Sequence, residues 1–210
     1  MTMAERLTRD EKKAQTRQRL LEAATVVFGR RGFAAASLDE VAEEAGLTKG
    51  AVYSNFENKE DLVFAVLDDN FERRLHDIVD RVDMDASIEE QLQSAGRMLM
   101  ARNQEEEWVL LLSFEFLTYA ARNPEFRARY DAGHRESLRV MAETIRENAA
   151  ARGVATPLPP EQFAVVTNAL AMGLEIEKRQ NPGGVPDDLF GTVLSLMYRG
   201  ATISAEETAV

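Results

Sequence analysis

The chain has 210 residues, 45% of them hydrophobic, enough to bury a core and too many for a disordered polymer. It contains no Cys and only two His, His76 and His134, which excludes disulfides, thiolate metal sites and a multi-histidine zinc site. The net charge is −11, yet residues 1–60 carry as many cations as anions, so the excess falls on 61–210 and a basic cluster (Lys12, Lys13, Arg17, Arg19, Arg30 and Arg31 against Glu22) stands near the start.

No apolar run approaches the roughly 18 residues that span a bilayer. The opening residues lack the apolar stretch of a secretory signal. A soluble, cytoplasmic chain with no membrane partner, cofactor or metal is expected.

Helix formers dominate, Gly and Pro fall at segment edges, and the spacing predicts an all-α protein of about nine helices. The first covers 10–31, burying Leu20, Leu21, Ala24, Val27 and Phe28 on one face and ending at Gly32. Ser37 and Glu40 form a capping box that opens a short helix to about Ala45. Gly46-Leu47 makes a turn, and Thr48 caps a second short helix, Lys49 to Asn55. Asn58 caps a long helix over 59–82. The predicted domains are a helix-turn-helix head, 1–57, and a ligand-binding and dimerisation body, 58–210.

In the body, Ser87 and Glu90 form a second capping box, opening a helix to about Asn103. Residues 108–121 are apolar on nearly every face, which predicts a helix buried all round. Asn123-Pro124 breaks it, and the next helix runs to about Ala151. The stretch from Gly153 to Pro160 is a linker. Helices follow over 161–179 and 187–199, separated by the loop Asn181 to Pro186, with a polar, frayed tail from Ser204.

Two short helices joined by a Gly-containing turn, behind a longer helix, form the layout of a DNA-reading helix-turn-helix. Val52 and Phe56, four apart, should pack on Leu38, Val41 and Ala42. Lys49, Gly50, Tyr53 and Ser54 then face outward, where a cation, a bare backbone, a phenol and a hydroxyl can approach a groove. Ser37 and Thr48 sit at helix N-termini, which attract phosphate. A plain helix–Gly–helix corner with a solvated Lys and Tyr would show the same local pattern.

Residues 17–62 resemble the DNA-binding domain of the TetR (tetracycline-repressor-like) family. The resemblance is carried by Arg17, Leu20-Leu21, Ala24, Phe28, Gly32-Phe33, Ser37-Leu38, Val41-Ala42, the run Ala45 to Gly50, Val52-Tyr53, Phe56, Lys59-Glu60 and Leu62. It implies that Lys49, Gly50, Ala51 and Tyr53 meet the major groove, with Ser54 and Asn55 at its edge. It also implies that Thr16, Arg17, Ser37, Thr48, Tyr53 and Lys59 hold phosphates, and that the middle helices frame a ligand cavity. Ser54 stands where many relatives carry a larger His or Tyr.

Glu115 is the single charge between Trp108 and Ala121, and it shares a stripe with Trp108, Leu112 and Tyr119. A carboxylate there must be paired, hydrogen-bonded or protonated. Either it receives a polar group of a ligand, or it pins helices by pairing with Arg122, Arg135, Arg139, a Tyr or a His. Candidate pocket walls are Met98, Trp108, Leu112, Phe114, Tyr119, Tyr130, His134, Met141 and Met172, a lining that suits a hydrophobic or aromatic effector. Each could equally be plain core, and His134 a solvated side chain.

Phe163, Val166, Leu170 and Leu174 form one stripe, with Ala169 and Gly173 allowing close helix approach. Leu189, Val193, Leu196 and Met197 form another. Two such helices from each of two subunits would give a four-helix bundle and a homodimer, whose symmetry predicts a palindromic DNA operator. The competing expectation is that these stripes face their own core. An enzyme would need an acid–base pair, metal cluster or phosphate loop, and no such motif stands out.

Overall fold

The computed structural model describes residues 8–83, 85–100 and 107–208. Among them are nine α-helices and no strand: α1 (Arg9–Ala35), α2 (Leu38–Glu44), α3 (Lys49–Tyr53), α4 (Lys59–Arg81), α5 (Ile88–Met100), α6 (Glu107–Arg122), α7 (Pro124–Arg152), α8 (Pro160–Gln180) and α9 (Leu189–Thr208). The expected end of α5, at Asn103, lies outside the described residues. α9 continues past the expected stop at Arg199 and into the stretch read as a frayed tail, as far as Thr208.

The caps act as the sequence dictates. Ser37 Oγ accepts from the Glu40 amide while the Glu40 carboxylate accepts from the Ser37 amide, and Ser87 with Glu90 repeats the arrangement. Asn58 Oδ1 accepts from the Asp61 amide at 2.8 Å, starting α4. Thr8 and Glu11 form a further capping box at α1. Gly32 takes φ 71° and ψ 173°, outside the helical region, and so breaks α1 three residues before its last. That conformation is open almost only to glycine.

The described residues divide into two compact units. The first holds α1 to α3, α4 as far as Asn70, α6, and α7 as far as Ala128. It therefore runs beyond the boundary expected at residue 57, because α6 packs along α1. Its core joins Leu20, Ala24, Val41, Val52, Leu62 and Val63 to Leu112 and Phe116, all nearly or wholly inaccessible to solvent. The second unit holds the rest of α4 and α7 with α5, α8 and α9. Its core gathers Met100, Phe163, Phe190 and Leu194, with Leu92, Ile145, Leu170, Leu174 and Met197 packed against them.

α6 corrects one expectation. It buries Val109, Leu110, Leu112, Phe116 and Ala120, but Leu111 and Leu117 are about half exposed, so the helix is not covered all round. No described helix is long and apolar enough to cross a membrane.

Candidate nucleic-acid interface

The corner formed by α2 and α3 is built from opposed faces. Val41, Ala42, Val52 and Phe56 are buried, which fixes how α3 sits on α2. The turn between them is made at Gly46, φ 62°, with its amide on the Glu43 carbonyl and the Leu47 amide on the Ala42 carbonyl. Arg19 fastens the same turn to α1 by donating to the Ala45 carbonyl at 2.8 Å. With its apolar side covered, α3 turns Lys49, Gly50, Tyr53 and Ser54 outward, and Tyr53 is 57% exposed. A Cβ on Gly50 would meet only Thr48 Oγ1, at 3.8 Å, so backbone is bare there.

The remaining expected contacts lie around this face. Thr48 is exposed and caps α3 by accepting from the Ala51 amide. Ser37 is exposed at the start of α2. Ser54 Oγ and Asn55 Nδ2 both donate to the Ala51 carbonyl, and Ala51 and Asn55 are half-buried. Thr16 is half-buried, its hydroxyl donating to the Lys12 carbonyl, while the Arg17 guanidinium lies 4.6 Å over the Phe56 ring.

The cations near this face are largely matched. Arg30 pairs with Glu44 at 3.3 Å and Arg31 with Glu40, tying the end of α1 to α2. The Arg31 bond, followed by that from Ser37, holds the Glu40 carboxyl below the usual carboxylate range. Lys49 Nζ donates to Asp39 Oδ2, and this bond and the charge of Asp39 raise the Lys49 ammonium above its ordinary value. Neither Asp39 nor Arg19 was legible as part of the site. Their partners lie ten and twenty-six residues away, and no local pattern links them.

Lys59 is placed differently from the phosphate role implied for it. Its ammonium donates to the carbonyls of Phe33, Ala34 and Ala36, the first at 2.7 Å, and sits 4.5 Å from the Phe33 ring centre. It thereby neutralises carbonyls left open where α1 breaks at Gly32. The bond that Glu115 makes is to main chain, not to the Arg, Tyr or His side chain expected of a structural pair. Its Oε2 accepts from the Phe33 amide at 2.7 Å. The Phe33 ring meets Phe116 and Tyr119 edge-on, in a cluster continued by Phe64 and Phe126. One residue is thus held through its amide by α6, through its carbonyl by α4, and through its ring by both.

The candidate effector residues fall in both units. Trp108 packs on Gly29 of α1, Leu112 is core, and Glu115 and Tyr119 serve the Phe33 junction, so these four knit the first unit. Met98, Tyr130, His134, Met141 and Met172 belong to the second. There His134 is exposed and the others half-buried, and burial, with the nearby Asp131 charge, raises the Tyr130 phenol.

The expected interface also splits. Phe163, Leu170, Leu174 and Met197 turn into their own core. Leu189 and Val193 are half-buried, while Val166, Gly173 and Leu196 face solvent, together with Val165 and Ala169. Helical periodicity located an apolar stripe but not its partner, because both sides of α8 are apolar.

Residues 20–66 match the family model described as bacterial regulatory proteins, tetR family. Residues 88–195, half of the chain, match that described as BetI-type transcriptional repressor, C-terminal. The HTH-type transcriptional regulator TtgR of Pseudomonas putida is 38% identical over 88 residues, covering 42% of this chain and 40% of that protein. The chain thus matches well under half the length of that relative. A TetR-family transcriptional regulator from Rhodococcus sp. superposes with a TM-score of 0.68 at 20% identity, covering 87% of this chain and 95% of the other. A regulator from Rhodococcus sp. Rha1 gives 0.64 at 21%, covering 90% and 96%.

Proposed function

From the premise that this chain belongs to the TetR family of transcriptional regulators, and is a helix-turn-helix DNA-binding protein rather than an enzyme, we propose that it represses transcription as a homodimer on a palindromic operator until a small hydrophobic or aromatic effector releases it. The observation that carries this is the division of α3. Val52 and Phe56 are buried while Lys49, Gly50 and Tyr53 lie open, so a groove is offered a cation, a phenol and unobstructed backbone. The apolar, solvent-facing Val165, Val166, Ala169, Gly173 and Leu196 support pairing of two chains through α8 and α9. Of the expected effector lining, the half-buried Met98, Tyr130, Met141 and Met172 remain with the body, and flexible thioethers suit an apolar ligand.

The effector acts by preferring the state that cannot bind the operator. A tenfold preference is worth about 1.4 kcal/mol per site. Selection of bound sequences from random duplex DNA should return an inverted repeat, bound by a two-chain species. Lys49→Ala should lower affinity for that repeat by about 1–3 kcal/mol if the ammonium reads a base. Enrichment of no sequence, or a Lys49→Ala/Tyr53→Ala chain that binds the repeat like the parent, would sink the proposal.

A further inference from the structure

Lys49, the cation of the reading helix, is already held. Its ammonium donates to Asp39 of α2 at 2.5 Å, and both side chains are more than half exposed. Three α2 carboxylates take cations: Glu40 and Glu44 bind arginines of α1, and Asp39 binds the lysine of α3. An ion pair this exposed is weak and exchanges readily. A DNA phosphate competes for the same ammonium, and the Asp39 charge repels it within a few ångströms.

Non-specific binding draws nearly all its free energy from phosphate–cation contacts, whereas an operator adds base contacts. A fixed anion on the reading face therefore penalises random duplex more than operator. Resting on the DNA-binding reading of α3 given above, we infer that Asp39 is a specificity-determining residue. It occupies Lys49 until a duplex with enough base contacts displaces it, and so widens the gap between operator and random DNA.

The test is fluorescence anisotropy of the full chain on a random-sequence duplex and on the selected repeat, across roughly 0.05–0.3 M KCl. Asp39→Asn removes the charge at constant size. Asp39→Ser removes it with a shorter polar side chain, should the first variant melt early. Either should tighten random-duplex binding about three- to tenfold at low salt and steepen the log–log salt slope by about one, with a smaller gain on the repeat. In a Lys49→Met background the gain should fall by half or more. Unchanged random-duplex affinity would overturn the inference, as would an equal gain without Lys49, which marks mere bulk charge. Weaker binding of the repeat with lost discrimination at one cytosine would overturn it too, making Asp39 an acceptor for the base amine. If the parent chain binds no duplex, the DNA-binding reading itself fails, a result distinct from these.

Discussion

Two helix crossings, one in each compact unit, use glycine in opposite ways. Where α5 meets α9, a Cβ on Gly96 would lie 2.6 Å from the Gly191 nitrogen and 2.8 Å from its Cα, and one on Gly191 would lie 2.7 Å from Gln93 Cα. Backbone rests on backbone. Where α6 meets α1, a Cβ on Gly29 would meet the Trp108 ring at 3.3 Å, and one on Gly32 would meet Glu115 Oε1 at 2.8 Å. Here glycine rests on side chains. A side chain relieves a clash by turning about its own bonds, whereas a backbone must carry its helix with it. The α5–α9 crossing is therefore the fixed frame of its unit, and the α1–α6 crossing is the one whose packing has room to adjust.

That contrast breaks first at Gly96. Gly96→Ala forces a methyl into the Gly191 backbone, and no rotamer removes it. Overpacking of this kind should cost about 3 kcal/mol or more, with a fall in Tm on the order of 10 °C. Gly191→Ala should do the same, and the double variant should be no better, since each methyl meets main chain. A thermal melt within a degree or two of the parent for either variant would show that the crossing yields. Gly32→Ala comes next, at about 2–3 kcal/mol, mostly from imposing a side chain on a backbone conformation near φ 71°. The Glu115 clash contributes less, because that carboxylate can swing away. Pairing Gly32→Ala with Glu115→Ala should therefore recover only a small part of the loss.

These glycines also show what the sequence made legible. Gly32 was readable, because two arginines and then a glycine after a helical stripe is local chemistry. The α2–α3 corner was readable for the same reason, since Ser37, Gly46, Thr48 and the Val52–Phe56 spacing all act within a few residues. No local pattern marks Gly96 and Gly191, although a glycine inside a helix costs about 1 kcal/mol and so asks for a packing reason. Gly173 is a third such glycine, and within its own chain nothing lies within 4 Å of the Cβ it lacks. Choosing between glycines requires knowing which helices meet. The same gap explains Glu115. A lone carboxylate in an apolar helix was legible as needing a partner, but that partner is the Phe33 amide eighty-two residues away, freed by a break in another helix.

The Phe33 junction sharpens the contrast from its polar side. Lys59 donates to three carbonyls there, so Lys59→Met should cost about 1–2 kcal/mol, moderated because freed carbonyls near the surface can take up water. DNA affinity separates this structural role from a phosphate contact. With the chain fully folded at low temperature, the salt slope of Lys59→Met should match the parent. A slope shallower by about one would return Lys59 to the backbone of the duplex.

The smallest expected effect is at Gly29, and its sign is set by two opposing quantities. Replacing glycine with alanine inside a helix gains up to about 1 kcal/mol of propensity. Against this, a methyl 3.3 Å from the Trp108 ring requires the ring to shift by a few tenths of an ångström. If α1–α6 is the adjustable crossing, the ring moves at little cost, and Gly29→Ala should leave stability within about 0.5 kcal/mol of the parent. Trp108 is the sole tryptophan, so its emission reports the crossing without interference. The variant should keep its Tm and change its emission maximum or intensity. A loss as large as that for Gly96→Ala would mean that Trp108 is held as rigidly as main chain, and the distinction between the two crossings would go with it.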